Sequence, residues 1–174
     1  MVSRYTITKA LAKHLEALAN IELAASTLFD GYLPDSIPLD NTPQQKFQSA
    51  HLEGRLWIAL LGDTPVGFAL VEMLAEDLPH LEEIDVIPAH GQRGLGTALV
   101  QAVLEWVAEA GYQQITLTTF RNIPWNMTFY AKLGFVEIPS NELKPELITV
   151  VNEEACRGLP RELRVVMRYS VKVV

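Results

Sequence analysis

Leu11, Leu15, Leu18, Ile21, Ala25 and Leu28 recur at steps of three and four residues, a spacing that predicts one long amphipathic helix reaching about Phe29. Just before it, Arg4–Thr8 (RYTIT) alternates apolar and polar residues with the period of a strand. DGYLPDSIPLDNTP, residues 30–43, carries three prolines and reads as loop. It closes on Thr42-Pro43, which predicts an N-cap, a proline at the first helical position, and a short helix to about Leu52.

RLWIALL (55–61) and VGFALVEML (66–74) predict two strands joined by the turn GDTP, and HLEEIDVI (80–87) a further strand stopped by Pro88. A helix is expected from Gly94 to Ala110, with Leu95, Leu99, Ala102, Val103, Trp106 and Ala110 on one face and Gly111 as its C-terminal cap. QITLTTF (Gln114–Phe120) is another strand, followed by a helix across Trp125–Leu133 and a strand from Phe135. ELKPELITVVNEEACRGL reads as helix and LRVVMRYSVKVV as a closing strand. A hairpin meander feeding a strand–helix–strand crossover predicts a mixed sheet with helices on both faces.

Composition narrows the field. The 174 residues are 49% hydrophobic, enough to bury the core of one domain, and no linker, repeat or low-complexity tract divides them. No apolar run approaches the ~20 residues that span a bilayer, and the N-terminus lacks a signal-peptide core, so the expectation is a cytoplasmic protein without membrane contact. One cysteine, Cys156, excludes an internal disulfide framework. The net charge of −7 argues against nucleic acid and is compatible with a cationic partner such as an amine. His14, His51, His80 and His90 have no metal-ligand spacing, and no metal is expected.

The chemistry concentrates in HGQRGLGTAL, residues 90–99. Glycines that tolerate positive φ, placed after a strand and opening a helix, expose amide donors with no intrahelical partner. Together with the positive helix end they make a site for an anion, most naturally phosphate, to which Gln92, Arg93 and Thr97 can add side-chain contacts. The Walker A lysine is missing, and Gly91-x-x-Gly94-x-Gly96 has the wrong spacing for a dinucleotide fingerprint.

The strand IDVIP with the turn GQRGLGTAL resembles the acetyl-CoA motif of the GNAT-superfamily N-acetyltransferases, Gln/Arg-x-x-Gly-x-Gly/Ala. FYAKLGF (Phe129–Phe135) resembles that family's second signature, Tyr-x-x-x-Gly-Phe. The likeness runs from about Arg4 to Val136. It implies a mostly antiparallel, twisted sheet of about six to seven strands in a single domain over residues 1–174, with the C-terminal helix and strand in 139–174. Two positions depart from the pattern: the family's Gln/Arg position is Gly91 here, and its asparagine seven residues before the tyrosine is Ile123, flanked by Asn122 and Asn126.

The resemblance implies acetyl transfer from acetyl-CoA to a primary amine by direct attack in a ternary complex. The coenzyme would be held by Val86, Ile87, Gly91, Gln92, Arg93, Gly94, Leu95, Gly96, Thr97 and Asn126. An ammonium must lose a proton first, and Glu82 in Leu81-Glu82…Val86 is the expected acceptor, relaying through water, with His80 its competitor and Glu83 and Asp85 on the opposite strand face. Tyr130 is the expected acid for the departing thiolate, and a backbone N–H near Val86 the expected oxyanion donor. Trp125 reads either as a packing residue or, with Asn126, as a wall of the acceptor pocket. A non-catalytic acetyl-CoA sensor and an acyltransferase for longer chains stay open, as does a homodimer through VVMRYSV, an aggregation-prone edge if unpaired.

Overall fold

The computed structural model describes residues 5–37 and 42–172. Arg4 of the expected first strand, positions 38–41 of the proline-rich loop and Val173–Val174 of the expected last strand lie outside the described residues.

Seven strands form one mixed sheet: β1 Tyr5–Lys9, β2 Leu56–Leu61, β3 Thr64–Ala75, β4 Leu78–Val86, β5 Gln114–Phe120, β6 Val136–Glu137 and β7 Arg164–Ser170, in the order β1-β2-β3-β4-β5-β7-β6. β1 with β2, β2 with β3, β5 with β7 and β6 with β7 are antiparallel. β4 and β5 run parallel, pairing His80 with Thr116 and Leu81 with Leu117. Parallel neighbours need a crossover, and helix α3 (Leu95–Glu109) supplies it. The other helices are α1 Leu15–Ser26, α2 Gln44–Leu52, α4 Asn126–Lys132 and α5 Pro145–Cys156.

Two compact units divide these elements: residues 1–30, 39–72 and 82–106 in the first, 31–38, 73–81 and 107–174 in the second. The first is built on Leu15, Leu18, Ile21, Phe47, Ile58 and Phe68. The Phe47 and Phe68 rings meet edge to face at 5.3 Å, both fully buried, each contributing roughly 2–3 kcal/mol of burial. In the second unit Leu78, Ile138, Leu147 and Val166 form the core cluster, so α5 closes over the C-terminal strand.

Local patterns explain where the chain departs from expectation. The first helix is broken into a 3₁₀ turn at Ala12–His14, α1, and a 3₁₀ turn at Thr27–Phe29. Its buried stripe runs His14, Leu15, Leu18, Ile21, Glu22 and Ala25, while Leu11 and Leu28 are exposed. Thr42 does not cap α2. Its N–H and Oγ1 both donate to the Glu22 carboxylate at 2.8 Å, and Pro43 takes the cap position instead. The inward face of α3 is Leu95, Leu99, Val100, Val103 and Val107; Ala110 is exposed and Ala102 and Trp106 are half-buried. Gly111, φ +81, does end α3, its N–H on the Ala108 carbonyl at 3.1 Å. The strand after Phe135 is only two residues long. VVMRYSV is no open edge: β7 is hydrogen-bonded to β5 on one side and β6 on the other, with Val165, Val166 and Met167 buried.

Candidate active site

β4 hands over to α3 within the first unit. At Pro88–His90 the chain makes a 3₁₀ turn, His90 N–H donating to the Ile87 carbonyl at 2.8 Å and Gly91 N–H to the Pro88 carbonyl at 3.0 Å. The Tyr5 hydroxyl and His90 Nδ1, 2.9 Å apart, tie that turn to β1. A Cβ on Gly91 would stand 3.1 Å from the Pro88 oxygen. Next, Gln92 has φ +56 and Gly94 φ +78. Gln92 is the one non-glycine in left-handed backbone among the described residues, at a cost of about 1 kcal/mol. Left-handed residues spaced this closely turn neighbouring N–H groups toward a common point, the pattern of an anion nest.

The first α3 amide bonded back one turn is that of Ala98, to the Gly94 carbonyl at 2.9 Å. The amides of Leu95, Gly96 and Thr97 precede it, so helix geometry gives them no carbonyl one turn back. Leu95 is buried and anchors the helix, while Gln92, Arg93 and Gly94 are exposed. Gln92 through Thr97 thus present consecutive donors at the positive end of a 15-residue helix.

Upstream, β3 approaches β4 closely. A Cβ on Gly67 would lie 2.8 Å from the Asp85 carbonyl and 3.1 Å from Val86 Cγ2. Ile87 N–H donates to the Val66 carbonyl at 2.9 Å, so this amide is already engaged in the sheet.

Four carboxylates of the first unit form two groupings. Lys46 of α2 reaches Glu82 at 2.8 Å and Glu72 at 3.0 Å. Burial would lower the Lys46 pKa, but the hydrogen bonds and charges of Glu82 and Glu72 outweigh it and hold the ammonium above its ordinary value. Glu22, bonded to Thr42, is raised because burial outweighs those bonds. Asp85 is pushed up to about 8 by burial, with the Glu22 charge adding to it.

The second unit holds the other signature. Its tyrosine, Tyr130, lies on α4 half-buried, with Phe129 at 5.0 Å and Phe135 at 5.7 Å, both edge-on. Gly134, φ +97, ends that helix, and Phe135 N–H returns to the Tyr130 carbonyl at 3.1 Å. The Tyr-x-x-x-Gly-Phe spacing is therefore a helix stop that plants a buried phenylalanine against the tyrosine's own turn. Asn126 opens α4, its N–H on the Ile123 carbonyl at 3.2 Å. Trp125 is not a buried packing residue: it is 37% exposed and stacks edge-on upon Tyr32 at 4.7 Å.

His80 is 1% exposed, its Nδ1 2.8 Å from Thr116 Oγ1. Farther along β5, Thr118 Oγ1 donates to Glu154 at 2.5 Å, and Arg164 donates to both oxygens of the same carboxylate at 2.9 Å. Arg164 holds Glu154 below the usual carboxylate range, against the upward push of its burial.

Sequence reasoning missed Lys46, the Glu22–Asp85 grouping and the Glu154–Arg164 pair. A signal existed for Glu22, a carboxylate inside the apolar stripe Leu18, Ile21, Ala25. None existed for Lys46, since its partners come from distant strands. Among the described residues no group of three or more His, Cys, Asp or Glu side chains could hold a metal ion, and no helix is long and apolar enough to cross a membrane. Cys156 is a free, exposed thiol at the end of α5.

Similar folds occur in many acetyltransferases. The PaiA N-acetyltransferase of Thermoplasma acidophilum, solved with coenzyme A, superposes with a TM-score of 0.71 at 14% identity, over 97% of this chain and 99% of its own. The ribosomal-protein-S18-alanine N-acetyltransferase of Escherichia coli gives 0.70 at 19% identity, over 98% and 96%. N-acetylglutamate synthase of Neisseria gonorrhoeae, solved with coenzyme A and N-acetyl-glutamate, gives 0.70 at 14% identity, over 99% of this chain but 36% of the other. The model of the acetyltransferase (GNAT) family matches residues 9–135, the span that carries β4, the glycine turn, α3 and the Tyr130 helix, and the chain belongs to that family.

Proposed function

We propose that this protein transfers the acetyl group of acetyl-CoA to a primary amine by direct attack in a ternary complex. The observation that carries the reading is the run of donors from Gln92 to Thr97, opened by left-handed backbone at Gln92 and Gly94. A coenzyme diphosphate needs such a cradle and little else from side chains. The Arg93 guanidinium and Thr97 hydroxyl add contacts, and Val86 and Ile87 line the strand that leads to the cradle. Asn126 takes the pantetheine contact that the family's asparagine makes, three residues beyond its usual place.

Charge supports an amine acceptor. The whole chain carries a net charge of −7, which favours a cationic acceptor. Glu82 accepts the proton through water, with the Lys46 ammonium 2.8 Å away as its ion-pair partner. β4 offers a second acceptor in Asp85, whose raised pKa suits a base working near neutrality. His80, sealed against Thr116, is the weaker competitor. Tyr130, by its place in the second signature, protonates the thiolate. The chain functions as one acetyltransferase domain in the cytoplasm.

Thiol release from acetyl-CoA across an amine library, at several pH values, tests the proposal. Amine-dependent release with a rising alkaline limb is expected. Tight acetyl-CoA binding without release to any amine would instead make this a sensor, and faster release from a longer acyl-CoA would change the donor.

A further inference from the structure

Tyr5 and His90 stand 85 residues apart in the chain and meet through the phenol hydroxyl and Nδ1 at 2.9 Å. Both belong to the first unit. Their strands are not neighbours: β2 and β3 separate β1 from β4, a gap of about 14 Å at ordinary strand spacing. The two rings also pack edge to face, 5.9 Å apart at 80°. A phenol both donates and accepts, so it meets Nδ1 in either ring tautomer.

His90 leads directly into the glycine turn, and that turn has few ties. Ile87 N–H, on the Val66 carbonyl, fixes its entry, and the buried Leu95 fixes its exit. In between, the N–H groups of His90 and Gly91 bond only to the Ile87 and Pro88 carbonyls, within the turn itself. Among the described residues, the Tyr5 contact is the one side-chain hydrogen bond of positions 88–97. Gln92, φ +56, meanwhile holds a left-handed conformation that a non-glycine residue keeps only where its surroundings impose it. A cradle shaped before binding spares the ligand the cost of ordering it.

We propose that the Tyr5–His90 pair is a latch that pins the turn to β1 and so pre-shapes the donors of Gln92 to Thr97 for the coenzyme diphosphate. Tyr5 is thus a positioning residue, acting through His90. The inference rests on the coenzyme reading of the turn, and its test keeps the two apart. Only the diphosphate uses the cradle, so the latch governs affinity for ligands that carry one and leaves ligands without it untouched. A residue that merely stabilised the fold would make no such distinction.

The test compares the full unaltered chain with Tyr5→Phe, His90→Phe and the double variant. Phenylalanine keeps an aromatic ring at each position and removes the hydrogen bond. Calorimetry with coenzyme A is expected to show binding about threefold to tenfold weaker in each single variant, the worth of one hydrogen bond. The double variant should bind no more weakly than either single one, because the pair is already broken. Pantetheine, which lacks the diphosphate, should bind all four proteins alike. In ligand-free Tyr5→Phe, the amide resonances of Gln92 to Thr97 should shift, and amide exchange at Gly91 and Ala98 should quicken severalfold. Unaltered coenzyme affinity in Tyr5→Phe, additive losses in the double variant, or an equal loss with pantetheine would overturn the latch. Should the His90 variants not fold, Tyr5→Phe decides alone, and unchanged affinity or unchanged exchange overturns the latch. Failure of coenzyme A to bind the unaltered protein would sink the coenzyme reading alone, because the exchange measurement needs no ligand.

Discussion

Gly67→Ala is the substitution whose effect follows most directly from the coordinates. The added Cβ meets the Asp85 carbonyl at 2.8 Å and Val86 Cγ2 at 3.1 Å. The nearer atom is backbone, so no rotamer change relieves the contact and β3 must move away from β4. Overpacking of this kind costs about 1–3 kcal/mol. For a chain of this size each kcal/mol lowers Tm by about 2–4 °C, so a fall of roughly 2–12 °C is expected. The displaced residues lead straight into the glycine turn. Restoring the turn on binding must repay part of that strain, which weakens acetyl-CoA by roughly threefold to tenfold. Gly62→Ala is the control: φ there is +61 with nothing near the new Cβ, so it carries backbone strain of about 1 kcal/mol with no route to the coenzyme. Thermal unfolding and acetyl-CoA titration of both variants decide the matter. Wild-type Tm and affinity in Gly67→Ala would refute the close approach, and equal loss of affinity in Gly62→Ala would refute its connection to the turn.

Tyr130→Phe should lower kcat by about 10²-fold or more while leaving the acetyl-CoA Kd unchanged, as stopped-turnover and titration measurements will read. Glu154→Gln strands Arg164 and should cost about 3–5 kcal/mol in denaturant unfolding. Because the folded Glu154 carboxyl titrates below its ordinary value of 4.5, the pair stabilises fully above that pH and its contribution is lost as pH falls through the depressed pKa, a dependence the variant should lack. Asp85 has the opposite sign: an acid raised to about 8 by burial costs stability increasingly from its ordinary 3.8 up to that value. Asp85→Asn should therefore raise Tm at neutral pH and leave it unchanged near pH 3, and should flatten the pH profile of kcat/KM if this carboxyl takes the proton.

Much of this fold is written in periodicity. Alternation placed the first strand, apolar runs bounded by turn signals placed the others, and three- and four-residue steps placed α1 and α3, because burial dominates those segments. The misreadings share a cause, a local rule overruled by a distant partner. Thr42 looked like a cap until the buried Glu22 claimed both its donors. Val100 and Val107 displaced Ala102 and Ala110 from the inner face of α3, since volume decides between neighbouring positions on a stripe. In the candidate site the backbone part was legible, because glycine and helix-start chemistry are local. The Lys46 bridge between Glu72 and Glu82 was not, because it exists only once three separated segments are brought together.

The account stands on the donors of residues 92–97. Amide NMR of the protein with increasing coenzyme A, and in parallel with a short acetyl thioester that lacks the diphosphate, tests them individually. The largest shifts should fall on the N–H groups of Gln92 to Thr97 with coenzyme A and be absent with the thioester. Undisturbed amides across that turn at saturating coenzyme would contradict the account.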